Sequence, residues 1–544
     1  MIKRAAAAMG SALLIGLCAL QAQAAHRTDD ALIRVGLSYG SGPVAAVNAL
    51  ADAGYELGYY DGENFVAVGQ IANRYVSFCK DALLSVDGRT VSEGGAGQPI
   101  KPYHLEVDCA FATQQEAEDF IAQLRAGGYV GEAFPASIDG VHRVRIEMYS
   151  QSGYAADDAA RIEQYTQGHA VRVVGEDAAT ITVIDLNNLA IAYELRPPDG
   201  LWPAARAADG GAVKNGLYYY NGAFELRRLS GGDITFINVV TLFDYLKGVL
   251  PYEMDGAWPL EALKAQAVCA RSYVLFNLGK HRDYDICNAV HCQVYYGTEK
   301  ENEAVRSAVE ETRNQVLCYD GKLISTFYFS SSGGYTESSE NAWGGAGYPY
   351  YAAVPDPYED PAAITTFSKT LTAGELTALL NGMGVDIGPV TDCYVSKYTE
   401  PAGNVYEVTF VGSAGRTHSI ARTDNVRIKL NSLVRSPRFQ ITSGQLRLVA
   451  NSGEALGGDL RAIDGEGRVS RLPALPKILT AAGLTEPEPV ESDGTFTFAG
   501  AGFGHNVGMS QYGAKGMAEA GKTCREILLH YFTGVEIHRT DEMG

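Results

Sequence analysis

One acid, Glu253, stands in an otherwise apolar stretch of the sequence. Its neighbours include Leu250, Pro251, Met254 and Trp258. Apolar surroundings favour the protonated form of a carboxyl group, which lets such a group act as a general acid near neutral pH. The pattern predicts an acid held in an apolar loop. Most glutamates taken in isolation are solvent-exposed, so this interpretation depends on the segments around it.

A helix is predicted directly after the acid. Pro259 suits a first helical position, and apolar residues then recur at steps of three and four. Lys264 and Arg271 lie seven residues apart, which places them on one flank of that helix. Arg271 is a candidate catalytic residue, because its fork of N–H donors can hold a substrate or the acid loop. An ordinary surface salt bridge is the alternative.

Two histidines and two cysteines follow within twelve residues, and they are His281, Cys287, His291 and Cys292. Two thiolates and two imidazoles match the ligand set of a closed, tetrahedral zinc site. Such a zinc would be structural, and the chemistry at the acid would not require it. The alternative is a disulfide between Cys287 and Cys292, with two solvated histidines beside it.

Two later segments combine glycines with polar side chains. SSSGG begins at Ser330, and GAGFGHNVGMSQYGA begins at Gly500. Glycines permit tight turns and close approach of the backbone to a ligand. The candidate substrate-binding residues of these segments are Ser331, Ser332, His505, Ser510, Gln511 and Tyr512. A tight structural turn without ligand contact is the alternative. A Ser–His hydrolase is disfavoured, because Ser510 lacks a G-x-S-x-G elbow.

Four segments together resemble the SpoIID/LytB family of peptidoglycan lytic transglycosylases. They are FDYLKGVLPYEMDGAWPLEALKAQAVCARSYVLFN from Phe243, DICNAVHCQVYYG from Asp285, FSSSGGYTESSENAWGG from Phe329 and the glycine-rich segment from Gly500. Asn506 stands where the family motif has glycine. Each motif is short, but chance agreement of all of them in one order is improbable.

The resemblance implies a reaction at Glu253. The carboxyl would protonate the glycosidic oxygen between N-acetylmuramic acid and N-acetylglucosamine, and would then take the proton of the muramic C6 hydroxyl as a 1,6-anhydro ring closes. A second carboxylate is not needed, although Asp255 and Glu261 lie near enough in sequence to leave a two-carboxylate hydrolase open. Some family members look zinc-bound at the histidine–cysteine cluster.

The implied partners are peptidoglycan glycan strands, and the sequence leaves open whether stem peptides must first be removed. A non-catalytic wall-binding protein, such as an enhancer of a partner amidase, is the alternative function. The presence of Glu253 in its apolar setting favours the enzyme.

The composition is that of a folded protein of several domains, with 544 residues, 46% of them hydrophobic and 20% charged. The formal net charge of −20 argues against a nucleic-acid partner, because phosphate binding needs clustered lysine and arginine. The 61 glycines and 32 tyrosines favour a strand-rich architecture. Tyrosine rings also suit surfaces that face sugars, since the ring stacks while the hydroxyl bonds at its edge.

The N terminus has the pattern of an export signal. Lys3 and Arg4 precede an apolar run, and Ala22-Gln23-Ala24 provides a small-x-small cleavage site. An uncleaved membrane anchor is the alternative. We therefore expect an extracytoplasmic protein, secreted or associated with the cell wall. Nine cysteines, one of them inside the signal, are too few for a disulfide scaffold in a chain of this length.

The expected fold class is α+β and multidomain, with a glycan-binding cleft in the catalytic region. Residues 101–176 show the element order β-α-β-β-α-β, with Thr113 as N-cap and Gly127-Gly128 as stop of the first helix. This module resembles the SPOR domain, which binds glycan strands, and an unrelated ferredoxin-like module is the alternative. The predicted parts are the signal 1–24, a β-rich module 25–100, the SPOR-like module 101–176, a first part of the catalytic core 177–361, an inserted α+β segment 362–495 and a closing part 496–544.

Overall fold

The computed structural model describes residues 27–360, 365–443 and 494–543, together with short strands between 447 and 485. The predicted export signal and Cys18 lie outside the described residues. The chain forms two compact units. The first contains the described residues up to Gly256 and Asn277–Val309, and the second contains Ala257–Phe276 and the residues from Glu310 onward. The predicted α+β, multidomain class is confirmed. None of the described helices has the length and apolar character that crossing a membrane requires.

The first unit is built on two large sheets. In spatial order, the ten-stranded sheet comprises Val171–Val174, Tyr103–Val107, Val141–Tyr149, Ala133–Ile138, Ala190–Arg196, Ile181–Asp185, Tyr75–Lys80, Ala46–Leu50, Val213–Asn215 and Tyr218–Tyr220. The seven-stranded sheet comprises Ile286–Cys287, Leu32–Ser38, Ile234–Thr241, Ala223–Arg228, Pro203–Ala207, Tyr55–Asp61 and Asn64–Ile71. A small third sheet contains Thr90–Ser92, Leu84–Asp87 and Gln98–Ile100.

The predicted β-α-β-β-α-β order is confirmed within the ten-stranded sheet. Its helices are Gln114–Ala126 and Ser152–Glu163. The Thr113 hydroxyl accepts the N–H of Glu116 at 3.2 Å, and the helix ends at Gly127, as predicted. This module is not a separate sheet, because Ala133–Ile138 pairs in parallel with Ala190–Arg196 beyond it. The predicted boundary at 176/177 therefore falls inside one continuous sheet, and the SPOR likeness stays a prediction.

The acid does not lie in a loop, so that expectation is wrong. It is the last residue of a helix, Leu242–Glu253, which we call the acid helix. The Thr241 side chain caps its start by accepting the N–H of Asp244 at 3.1 Å. Pro251 lies in its last turn and suggested a loop in the sequence. The helix continues past this proline because its apolar side, including Leu246 and Leu250, is buried.

The second unit is organised around Leu260–Phe276, which we call the central helix. Thirteen of its seventeen residues are buried, so it is surrounded by protein on nearly all sides. The Arg271 side chain is fully buried, so the alternative of an ordinary surface salt bridge at this residue is wrong. The other helices of this unit are Ser339–Trp343, Ala373–Gly382, Thr423–Lys429, Gln511–Glu519 and Cys524–Tyr531, and Glu303–Glu311 spans the point where the chain passes between the units.

Short sheets complete the second unit. The strand groups are Lys322–Leu323, Gln315–Tyr319 and Glu536–Arg539; Tyr328–Phe329 and Met509–Ser510; Thr366–Thr372, Thr495–Ala501 and Phe439–Ser443; and Val390–Tyr398, Val405–Gly412 and Thr417–Ala421. The paired short strands are Arg447–Val449 with Ala455–Gly457, Arg461–Ile463 with Val469–Arg471, and Ile478–Thr480 with Gly483–Thr485.

The inserted segment shares one hydrophobic core with the start of the closing part, since Leu376 and Phe410 belong to the same core as Phe498. Thr495–Ala501 is the middle strand of one of its sheets and leads directly into the glycine-rich segment. The inserted segment thus anchors the start of that segment.

Candidate functional site

Glu253 is partly buried at the C-terminal end of the acid helix. Leu250 and Pro251 precede it in the last turn and are buried, and Met254, which follows it, is buried too. The N–H of Met254 closes the helix on the Leu250 carbonyl at 2.9 Å. Glu253 therefore stands between buried apolar residues in the sequence, at a regular helix end.

Arg271 belongs to the second unit and lies on the central helix. Its guanidinium Nη1 donates to the carbonyl oxygen of Gln315 at 3.3 Å. The side chain is fully buried, which favours a role in holding the second unit together over direct contact with a substrate. Its catalytic role stays a prediction.

The predicted metal ligands of the first unit come together. The candidate ligand atoms of His281, Cys287, His291 and Cys292 all lie within 4.8 Å of one another. Cys287 is positioned by a short strand that pairs in parallel with Leu32–Ser38. Cys287 and Cys292 are both free thiols in the described part of the chain, and the choice between zinc and a disulfide stays a prediction.

Three of the distances within this cluster lie in the range expected around a tetrahedral zinc ion. Nε2 of His281 lies 3.3 Å from Sγ of Cys292, and Nδ1 of His291 lies 3.5 Å from Cys292 Sγ and 3.7 Å from Cys287 Sγ. Zinc bonds of about 2.0–2.3 Å at tetrahedral angles place neighbouring ligand atoms roughly 3.3–3.8 Å apart. Burial raises the pKa of the Cys292 thiol to about 11, and a bound cation would favour its thiolate instead. The donor set therefore fits zinc.

The serine and glycine segments converge within the second unit. We call Ser330–Gly334 the serine turn and Gly502–Gly508 the glycine-rich loop. Their backbones form a bridge, with the Ser331 N–H donating to the Phe503 carbonyl at 3.1 Å and the reverse bond at 2.8 Å. Tyr328–Phe329 and Met509–Ser510 pair in parallel beside it. Two segments far apart in sequence thus become one structure.

Two carboxylates at the centre of this structure, Asp356 and Glu359, were not identified from the sequence. Glu359 accepts the Ser331 hydroxyl at 2.9 Å, the Ser332 N–H at 2.6 Å and the Ser510 hydroxyl at 2.6 Å. The Ser332 hydroxyl donates to Asp356 at 2.9 Å. Because these buried hydroxyls are engaged by carboxylates, the geometry favours a structural role for the three serines. The sequence signal that could have identified these two carboxylates is their Asp-x-x-Glu spacing, shortly after the tyrosine-rich run Tyr348–Tyr351.

The two carboxylates are close enough for the charge of Glu359 to affect the titration of Asp356. Burial and the adjacent Glu359 raise the pKa of Asp356 to about 6, and this shift is opposed by hydrogen bonds from Tyr531 and the two serines Ser332 and Ser510. The Tyr531 hydroxyl donates to Asp356 Oδ1 at 2.9 Å. This bond connects the helix Cys524–Tyr531, which we call the closing helix, to the same pair of carboxylates.

His505 lies among aromatic rings. Its ring centroid is 5.5 Å from that of Phe329 and 5.7 Å from that of Trp343. Nδ1 accepts the N–H of Val507 at 3.1 Å. Burial lowers the pKa of His505 to about 4, and the nearby carboxylate of Asp424 opposes that shift. The imidazole is therefore neutral at physiological pH, with its hydrogen on Nε2.

The remaining two candidates follow the glycine-rich loop. Gln511 is largely buried, and its Nε2 lies 3.5 Å from Oε1 of Gln266 on the central helix. Tyr512 is partly exposed, and its ring centroid lies 5.0 Å from that of Trp258. Lys515 reaches over the same Trp258 ring at 5.5 Å. Of the two, only Tyr512 offers appreciable accessible surface.

Asn506 explains the departure from the family motif. Its backbone φ is 64°, a left-handed conformation that glycine adopts freely and that asparagine tolerates better than other residues. Its side-chain Nδ2 donates to the carbonyls of Ser332 at 2.9 Å and Tyr335 at 3.3 Å. The asparagine therefore keeps the required backbone shape and adds bonds to the serine turn.

Comparison with known proteins places these residues in context. A family described as SpoIID, stage II sporulation protein, matches residues 230–319, which include Glu253, Arg271 and the four candidate metal ligands. An uncharacterized protein of Brachyspira hyodysenteriae is 31% identical over 60% of this chain and 74% of its own length. The Stage II sporulation protein D of Bacillus amyloliquefaciens is 27% identical over 56% of the chain and 75% of its own. The amidase enhancer of Bacillus subtilis is 32% identical over 54% of the chain, but only 40% of that protein is covered.

Proposed function

The chain belongs to the SpoIID family, and from that premise we propose that it is an exported lytic transglycosylase of peptidoglycan. It would cleave the bond between N-acetylmuramic acid and N-acetylglucosamine and leave a 1,6-anhydro end. The observation that carries the proposal is Glu253, which ends a buried helix with apolar flanks inside the segment that matches the family.

One carboxyl group performs both proton transfers in this scheme. Protonated Glu253 donates to the glycosidic oxygen as the bond breaks, and the resulting carboxylate takes the proton of the muramic C6 hydroxyl as that oxygen attacks the anomeric carbon. The proton count closes without water, and Glu253 ends protonated and ready for another cycle. This reaction differs from the two-carboxylate schemes of hydrolytic glycosidases.

The position of Glu253 supports the first transfer. The C-terminal end of a helix carries partial negative charge from the unsatisfied carbonyls, which disfavours an ionised carboxylate there. Its sequence neighbours Leu250, Pro251 and Met254 are buried. A helix end among buried apolar residues is the kind of setting in which a general acid can operate.

Glu261 does not support a second carboxylate in the reaction. It lies in the second unit, and its Oε1 accepts Lys264 Nζ at 2.7 Å while Oε2 accepts the Cys524 N–H at 2.6 Å. Although partial burial raises its pKa, these bonds lower it on balance. Glu261 thus joins the central helix to the helix Cys524–Tyr531 through its bond with the Cys524 N–H.

Zinc would be held by His281, Cys287, His291 and Cys292 and would supply only structural cross-linking. Four protein ligands leave no position for a water or substrate. The segment they fix also carries Gln293, whose Oε1 accepts the hydroxyl of Tyr245 on the acid helix at 3.1 Å. The metal would thereby stabilise the support of the acid helix without taking part in proton transfer.

In the second unit we assign direct substrate contact to Tyr512, because its side chain is partly exposed. Neutral His505, with its aromatic neighbours, and Gln511 complete the candidate set. Ser331, Ser332 and Ser510 position the serine turn and the glycine-rich loop through Glu359, and Arg271 positions the central helix.

The deciding experiment is product analysis with purified glycan strands, with and without stem peptides. The expected products carry 1,6-anhydro-muramic ends, and Glu253→Gln should abolish their release while retaining glycan binding and the thermal unfolding midpoint. Reducing ends without the anhydro ring would indicate hydrolysis instead. Activity of Glu253→Gln within a few-fold of the parent would exclude the assigned role.

A second function has one specific observation in its favour, namely the similarity to a protein named amidase enhancer. In that case the chain would bind glycan and increase the activity of a partner wall hydrolase without cleaving strands itself. Adding the protein to a purified cell-wall amidase separates the two functions. Stimulation that survives Glu253→Gln, with no anhydro products from the protein alone, would establish the enhancer.

The protein is proposed to act outside the cytoplasm, because peptidoglycan is located there and residues 1–24 have the pattern of an export signal. Fractionation of cells, with sequencing of the N terminus of the exported form, tests this. A new N terminus near Ala25 is expected, whereas an intact Met1 in the membrane fraction would indicate the anchor.

A further inference from the structure

Three partly exposed tyrosine rings contact one another in the first unit. Tyr218 and Tyr296 are stacked, with centroids 4.8 Å apart and planes inclined by 16°. The ring of Tyr252 meets Tyr296 edge-on at 5.1 Å. Tyr252 is the residue directly before Glu253 on the acid helix. We call Tyr218, Tyr252 and Tyr296 the tyrosine platform.

A second group of tyrosines in this unit is buried, and one of its members, Tyr220, is close enough to interact electrostatically with all three platform rings. Tyr220, Tyr245 and Tyr295 are buried, and the Tyr295 centroid lies 5.6 Å from Tyr220 and 4.9 Å from Tyr245. The Tyr295 hydroxyl donates to Asn238 Oδ1 at 2.8 Å. Buried hydroxyls with partners fix ring orientation, which makes the surface above them rigid.

The backbone brings the platform together by a close approach that requires glycine. Tyr218 lies on an edge hairpin, and the N–H of Thr298 donates to the Tyr219 carbonyl of that hairpin at 2.8 Å. Gly297 has φ of 68°, and a Cβ at this position would collide with the Tyr219 carbonyl oxygen. Gly297 thus lets the segment that carries Tyr296 dock on the hairpin.

Positive charge accompanies the rings. The ammonium of Lys300, an exposed residue, lies 4.5 Å from the centroid of Tyr252. Ammonium groups and phenol hydroxyls both donate hydrogen bonds to sugar oxygens, while the ring faces accept the apolar C–H face of a sugar.

We propose that the tyrosine platform is a binding subsite for N-acetylated hexosamine units of a glycan strand, adjoining Glu253 along the chain. This rests on the proposed function and extends it, since it names side chains that would hold the strand next to the acid. Tyr218 and Tyr296 supply stacking surface, Tyr252 supplies an edge and a hydroxyl, and Lys300 supplies a donor at the rim. The platform is a positioning surface and transfers no proton.

The test uses the full chain carrying Glu253→Gln, which prevents turnover, and a hexamer of β-1,4-linked N-acetylglucosamine as probe. Isothermal titration should show about tenfold weaker binding for Tyr218→Ala and for Tyr296→Ala, a loss of roughly one stacking contact. Tyr296→Phe should retain most of the affinity, because the ring remains. Tyr59→Ala is the matched control, since Tyr59 is partly exposed in the same unit and lies outside residues 101–176.

A second measurement needs no core-adjacent substitution. Nitration of the Glu253→Gln protein by tetranitromethane, mapped by mass spectrometry, should show Tyr218, Tyr252 and Tyr296 protected by the hexamer and Tyr59 unprotected. Equal nitration with and without hexamer, unchanged affinity of both alanine variants, or no hexamer binding at all would overturn the platform.

The outcomes separate this inference from the proposed function. If the hexamer binds at the platform but the parent protein releases no anhydro products from glycan strands, the subsite stands and the transglycosylase fails. If anhydro products form while the alanine variants of Tyr218 and Tyr296 bind as tightly as the Glu253→Gln parent, the platform alone is rejected.

Discussion

Ser510 Oγ donates to Glu359 Oε1 at 2.6 Å, across 151 residues of sequence. Through this bond the glycine-rich motif is fastened to the same carboxylate that accepts the Ser331 hydroxyl and the Ser332 N–H of the serine turn. A single buried acid thus determines how the two motif segments of the second unit meet. The relationship also explains why both motifs need serine at these positions.

Replacing Glu359 by glutamine should destabilise the protein. A glutamine nitrogen cannot accept the N–H of Ser332, and a charged acceptor is lost for two buried hydroxyls, so we expect the free energy of unfolding to fall by about 2–3 kcal/mol. Urea denaturation measures this. Glu519→Gln is the control, because Glu519 is exposed at the end of a helix in the same unit and should change stability by less than about 0.5 kcal/mol. Equal stability of the two variants would contradict the structural role of Glu359.

Asp356 should make stability depend on pH. Its folded-state pKa of about 6 lies above the ordinary value of 3.8, so the folded protein keeps a proton that the unfolded chain has released. The stabilising contribution is therefore complete below about pH 3.8 and is lost as the pH rises through about 6. Measured across pH 4 to 7, wild type should lose stability relative to Asp356→Asn. A constant difference would mean that Asp356 titrates normally.

Asp255→Asn should retain activity if one carboxyl group suffices. Asp255 is exposed and lies two residues after Glu253, so it is the nearest local candidate for a second acid in a hydrolytic pair. We expect kcat/KM within about threefold of the parent, whereas Glu253→Gln should lower it by at least about 100-fold, the usual range for removal of a general acid. A loss at Asp255 as large as at Glu253, with reducing ends among the products, would instead support hydrolysis.

Metal removal should lower thermal stability and reduce activity only indirectly. Elemental analysis of protein purified without chelator should find about one zinc per chain, as a closed four-ligand site requires. Cys292→Ser should lose the metal and unfold at lower temperature. Cys109→Ser is the matched control, because Cys109 is a partly exposed thiol outside the cluster in the same unit. Protein without metal, whose Cys287 and Cys292 react with thiol reagents only after reduction, would establish a disulfide instead.

Asn506 offers a test of backbone conformation. Asn506→Ala should be less stable than Asn506→Gly, because alanine at φ of 64° adds a strain of about 1–2 kcal/mol that glycine avoids. Both variants lose the bonds to the carbonyls of Ser332 and Tyr335, so their difference isolates the strain. Thermal unfolding of the pair supplies the measurement. Equal midpoints would show that the loop relaxes around alanine.

Local patterns in the sequence were sufficient to predict several features of the structure. The spacing of His281, Cys287, His291 and Cys292 predicted a cluster because residues so close along the chain can meet in one loop. Capping chemistry at Thr113 predicted a helix start correctly, since a cap involves only the next three residues. The sequence around Glu253 likewise predicted the helix that follows it, although Glu253 proved to end a helix of its own.

Tertiary structure alone decided what depends on distant partners. Alternation and helical periodicity predict which face of a strand or helix is apolar. They do not show that the Arg271 side chain is fully buried. Nor do they show that the strand Ala133–Ile138 pairs with the strand Ala190–Arg196. The sequence motif identifies Ser510 as a candidate residue, but it does not show that the Ser510 hydroxyl donates a hydrogen bond to Glu359. Burial, pairing and the stack of Tyr218 on Tyr296 arise from contacts across many residues, and they exist only once the chain has closed those loops.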